Sequence, residues 1–167
     1  SASDTAAGVG ARTLTVIGLD VAFAEITTTV SLNGTTAVAL PITFYRINSV
    51  VVASAGSSEG NVGTITVRRA VGGLTQELIL PGIGLSRKAV YTVPTGPTLQ
   101  ISSTLISMNR TVTTAVATIA IAMRINGVVR APLELTCGNN APYRHDGLPG
   151  ITVPAGADFW LRCVFVS

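Results

Sequence analysis

Along most of this chain apolar and polar residues change places every second position, the period of a strand with one face buried. The clearest case is Ala24–Leu32, where Ile26, Thr28, Val30 and Leu32 share one face and Thr27, Thr29 and Ser31 the other. Arg12–Gly18 predicts a strand before it. Asn33-Gly34 follows with the residues of a type I′ hairpin turn, predicting a return over Thr35–Leu40 that Pro41 ends. Phe44–Ala55 is more continuously apolar and is expected in the middle of a sheet. The cluster from Gly56 to Asn61 reads as a loop. Thr64–Arg69 alternates again, with Ile65 and Val67 facing in. Residues 70–88 hold one short apolar strand between glycine-rich turns.

The second part of the chain carries a faint echo. Thr92-Val93-Pro94-Thr95-Gly96 and Thr152-Val153-Pro154-Ala155-Gly156 share T-V-P-x-G, and alternating runs follow both, Leu99–Met108 and Phe159–Val166. A Pro with a Gly two residues on is a turn signal; two such turns in one β-domain explain the echo better than a duplication. Thr113–Ile125, Asn126-Gly127 and Val128–Leu135 predict a hairpin, and Cys137–Gly150 a long polar loop.

Composition agrees with the pattern. Of 167 residues, 55 are Val, Ile or Thr, whose branched side chains pack well on a pleated surface and lose freedom in a helix. Seventeen Gly and eight Pro supply turns. The expected fold is all-β, an antiparallel β-sandwich of jelly-roll type with about ten strands. A Gly/Ala/Ser/Thr-rich start predicts a flexible arm over residues 1–11, and 12–167 a single domain.

Only 11% of the residues are charged, under half of the roughly 25% usual in soluble domains. The start has neither the basic nor the apolar region of a signal peptide, and the charge-free stretch Thr111–Met123 is shorter than the ~20 residues of a membrane helix. Net charge is +3. Adjacent bases occur only at Arg68-Arg69 and Arg87-Lys88, without interleaved aromatics, which argues against nucleic acid as partner.

Chemistry-bearing residues are sparse. His145 is the single histidine; with Asp146 or Asp158 it has the composition of a general base, but no G-x-S-x-G elbow marks a nucleophile, and a loop position is the simpler reading. The eight carboxylates are scattered, and Cys137 and Cys163 lack metal-ligand spacing. No catalytic residue, cofactor or metal is expected, and both thiols are expected free and buried. A β-protein with one Lys and few acids has little charge to guard its strand edges. Burial against neighbouring copies or a scaffold resolves that conflict. Tyr45, Arg46, Arg110, Arg124, Arg130, Tyr143 and Arg144 are the candidate interface anchors, being Arg and Tyr.

Three blocks carry a resemblance. They are Gly10–Val16 with Gly18-Leu19-Asp20, Glu25–Val30 and Leu32–Val38; Phe44-Tyr45-Arg46-Ile47-Asn48 with Val52–Ser58 and Asn61–Ile65; and Ala89–Gly96. Together they resemble virion structural proteins of tailed bacteriophages, many from marine and cyanobacterial hosts. The resemblance spans roughly residues 10–166, is strongest before residue 70 and departs over 68–88. It implies a non-enzymatic particle component, most simply a capsid decoration (cement) protein at the capsid surface. Its partners would be the major capsid protein and copies of itself, as in a trimer. The alternatives are a tail, adaptor or fibre-associated protein, or a glycan-binding β-sandwich using the loops at 56–61 and 137–150 with Trp160.

Overall fold

The computed structural model describes residues 1–106, 116–138 and 143–166, with side chains except at 106, 143–149 and 165–166. The described residues are all-β: eleven strands, no helix, and every pairing antiparallel. The chain's contacts gather in two compact units, Ser1–Lys88 and Ala89–Ser167.

In the first unit β1 (Ala11–Leu19) lies between β2 (Glu25–Ser31) and β3 (Arg46–Ala55), and β4 (Ile65–Arg68) pairs with β5 (Thr75–Ile79). Leu14 and Val16 of β1 and Val50 of β3 point down onto Ile65 and Ile79 of the hairpin, closing a core between the two small sheets as in a sandwich. β3, expected in the middle of a sheet, is a flank. Its far side is met by the short segment from Gly84 to Ser86, where the Val52 amide donates to the Gly84 carbonyl at 2.7 Å and the Ser86 amide to the Val50 carbonyl at 2.8 Å. β1 takes the centre because its seven-residue register with β2 is unbroken while its other side holds β3.

The chain turns one residue later than expected, about Gly34-Thr35: the Thr36 amide donates to the Asn33 carbonyl at 3.0 Å, Gly34 has positive φ while Asn33 does not, and Thr35–Leu40 does not return as a strand. β1 already satisfies β2 on one side, and Leu40 packs on the core instead. Residues 1–11, read as a flexible arm, are tied down. Asp4 is 1% exposed, and its carboxylate accepts the amides of Ala11 (2.8 Å), Val62 (2.9 Å) and Gly63 (2.9 Å). Backbone bonds join the carboxylate in holding the segment: the Ala6 amide donates to the Leu32 carbonyl and the Gly34 amide to the Asp4 carbonyl, both at 2.9 Å.

The second unit has a four-stranded sheet in the order β6 (Val90–Thr92), β11 (Asp158–Val166), β8 (Val116–Ile125), β9 (Val128–Gly138), and a pair formed by β7 (Leu99–Ile106) and β10 (Tyr143–Val153). Val93, Met123, Val153 and Ala157 close a core with Leu99, Ile101 and Phe159, so two sheets again face each other. Asn126 (φ 51°) and Gly127 (φ 79°) make the predicted turn between β8 and β9. The polar segment expected as one loop from Cys137 to Gly150 is largely strand. β9 runs to Gly138 and β10 begins at Tyr143, with a register break between Asp146 and Ile151 that takes up Gly147, Pro149 and Gly150. The alanines of β8 are buried along with its larger residues: Ala120 is fully covered and Ala122 is 2% exposed, so this strand is buried on both faces.

Candidate interaction surface

Among the described residues no group of three or more His, Cys, Asp or Glu side chains is placed to hold a metal. His145 stands in β10 opposite Thr104 of β7, on a strand rather than a loop; its side chain lies outside the described residues, as do those of Tyr143 and Arg144. Arg110 lies wholly outside them. Cys137 is buried and free, its thiol against the Ala117 carbonyl at 3.6 Å. Cys163, expected buried, is exposed, as are its neighbours Leu161, Arg162 and Val164 on this end of β11.

Two of the predicted anchors are adjacent in the first unit and are built into a projecting cluster. Asp20 begins the β1–β2 connection, and its Oδ1 accepts the amides of Ala22 (2.8 Å) and Ala24 (2.9 Å). That tight turn drives Phe23 to a φ of 60°, a left-handed conformation that a bulky residue rarely adopts. The Phe23 ring meets the Tyr45 ring edge-to-face with centroids 5.4 Å apart, and the Arg46 guanidinium lies 4.6 Å from the Tyr45 centroid. The Tyr45 amide donates to the Leu19 carbonyl at 2.8 Å, fixing the ring beside the turn. Tyr45 is 48% exposed, and Val21, at the tip, is 81% exposed. Strain of this kind costs about 1–3 kcal/mol and persists only where the surroundings over-determine it. Sequence reading named Tyr45 and Arg46 but passed over Phe23; an aromatic three residues beyond an Asp in a short connection was the available signal.

A second feature lies on the outward side of β5 and the segment that follows. Leu78, Leu80, Ile83, Leu85 and Arg87 line a shallow recess of about 140 Å³. Leu78 and Leu80 are exposed because the inward positions of β5 are taken by Glu77 and Ile79. Glu77 is buried as an ion pair, its carboxylate 2.7 Å from the Lys88 ammonium, which also donates to the Ile47 carbonyl at 3.0 Å. The chain's single lysine thus neutralises a core carboxylate rather than guarding an edge.

In the second unit Arg124 reaches Asp158 across the β8–β11 ladder at 3.9 Å, and its guanidinium lies 5.8 Å from the centroid of Trp160. Thr92 donates to the other Asp158 oxygen, Oδ1, at 2.7 Å. Arg130 is exposed on β9, opposite Met123 beside a register break. Trp160 is half-buried, one face engaged by Arg124, which leaves little of an open aromatic platform for a sugar.

What the described surface offers is therefore contact area: aromatic and arginine anchors, exposed leucines and little charge. No protein-family model, curated protein or solved structure matches the chain.

Proposed function

We propose that this chain is a non-enzymatic virion structural protein, and within that class a capsid decoration protein that binds across seams of the major capsid lattice. The observation that carries the reading is the Phe23–Tyr45–Arg46 cluster. A strained turn holds two aromatic rings and an arginine at the surface, the residue types that dominate binding energy at protein interfaces. The low charge of the sequence and the exposed Leu78, Leu80 and Leu85 support it, since permanent assemblies bury apolar surface that a free monomer leaves wet. The resemblance of residues 10–65 and 89–96 to phage virion proteins supplies the kind of assembly.

Decoration would act by adding binding free energy between neighbouring capsid subunits, opposing the pressure of packaged DNA. Particles stripped of the protein and heated should rupture at a lower temperature, and adding back the chain should restore the original value. The Tyr45→Ala/Arg46→Ala double variant should fail to restore it. An unchanged rupture temperature after stripping would remove the decoration role and leave a tail or adaptor position, which labelling of intact particles distinguishes.

A further inference from the structure

We propose that β2 pairs with β2 of a second copy of this chain, antiparallel, about a two-fold axis through Thr28. The two three-stranded sheets then become one continuous six-stranded sheet.

The inference starts from the one bare edge of the first unit's larger sheet. The Leu32 amide donates to the Arg12 carbonyl at 2.9 Å, and the Asp20 amide to the Ala24 carbonyl at 3.0 Å. In an antiparallel ladder the hydrogen-bonding direction alternates. Ile26, Thr28 and Val30 therefore turn their backbone groups to β1, and Glu25, Thr27, Thr29 and Ser31 turn theirs away. Among the described residues no other strand pairs with β2 and no hydrogen bond reaches those outward groups.

Two other edges are protected. β3 is covered by the segment from Gly84 to Ser86. β9 carries Pro132 at a register break and Arg130 beside it. β2 has no proline, no basic residue and an unbroken register over seven residues, so it lacks the usual devices against pairing.

The occupant follows from the strand's own sequence. Glu25-Ile26-Thr27-Thr28-Thr29-Val30-Ser31 reads nearly the same from both ends. With the axis at Thr28, Thr27 stands opposite Thr29 of the copy on the exposed face, and Ile26 opposite Val30 on the half-buried face. Each is a favourable β-branched pair, and the half-exposed Ile26 and Val30 gain cover. The outward groups at 25, 27, 29 and 31 meet outward groups of the copy, as an isologous contact requires. Glu25 meets Ser31, which sets the two Glu25 carboxylates about 20 Å apart at ~3.4 Å per residue, beyond a Debye length at physiological salt. This pairing is independent of any role in a virion.

The test uses the full chain with Cys163→Ser, so that no exposed native thiol interferes. Thr28 and its mate form a non-hydrogen-bonded pair, with Cα atoms about 4.5 Å apart, within disulfide reach. Thr28→Cys should give a covalent dimer on mild oxidation. Thr29→Cys, opposite Thr27 instead of itself, should give about a tenth as much or less. In sedimentation, Thr27→Lys/Thr29→Lys places Lys opposite Lys twice and should weaken self-association about tenfold, whereas Thr27→Lys/Thr29→Glu places Lys opposite Glu and should retain it. Circular dichroism checks that both variants fold, their substitutions being on the exposed face. A monomeric parent chain, equal cross-linking at 28 and 29, or equal behaviour of the two charge variants would each overturn the proposal.

Discussion

The carboxylate of Asp4 accepts the amide of Val62 at 2.9 Å, joining residues 58 positions apart in the chain. Burial by itself would raise the Asp4 pKa, but the amides of Val62, Gly63 and Ala11 outweigh it and hold the group below its usual 3.8. A carboxylate depressed on folding stabilises the fold above its unfolded pKa, and that contribution is lost as pH falls through the folded value. Asp4→Asn should therefore cost about 1–3 kcal/mol at neutral pH. The gap from the parent chain should narrow below about pH 3.8 and close in stronger acid, as read by urea unfolding across pH. A gap independent of pH would assign the loss to packing.

Removing Lys88 from the Glu77–Lys88 pair leaves the buried Glu77 carboxylate without its cation. The lysine end is open to water, so Lys88→Ala should cost about 1–3 kcal/mol, less than breaking a fully buried pair. The double change Glu77→Leu/Lys88→Met should be nearly neutral. Thermal unfolding of the three proteins checks both statements.

Gly18 is in β1 because its neighbours leave no room for a methyl group. A Cβ there would meet the Arg46 carbonyl oxygen and stand 2.7 Å from the Phe44 ring. Gly18→Ala should destabilise the first unit by about 1–3 kcal/mol through overpacking. Hydrogen exchange should show the loss in β1 and β3, and a protein as stable as the parent would contradict the close approach.

Arg124 makes an exposed ion pair with Asp158 at 3.9 Å and is itself 51% exposed, so Arg124→Ala should change stability by less than about 1 kcal/mol. Tyr45→Ala should likewise leave the second unit's melting unaltered. A loss of particle binding by either variant, with the fold intact, would mark that residue as an interface anchor.

Several elements are legible without coordinates because their causes are local. The strict alternation of β2, the Asn126-Gly127 turn and the inward Ile65 and Val67 follow from side-chain period and backbone chirality alone. Less legible were Asp4 and Phe23. Asp4 acts on amides far along the chain, and Phe23 acquires its meaning from a ring on β3 and an arginine beside it. The polar stretch after Cys137 misled for a related reason: β10 is held by its ladder to β7 rather than by its own composition.

The sequence alone determined that this is an all-β chain with turns at its glycines and few charges, because β-branched content, period two and turn chemistry act within a few residues of each other. Tertiary structure decided which strand lies at the centre, where Asp4 and the lone lysine spend their charge, and which edge stays open. Those outcomes depend on pairing between distant segments, where the unmet amides of one strand are satisfied only by whatever the rest of the chain brings alongside.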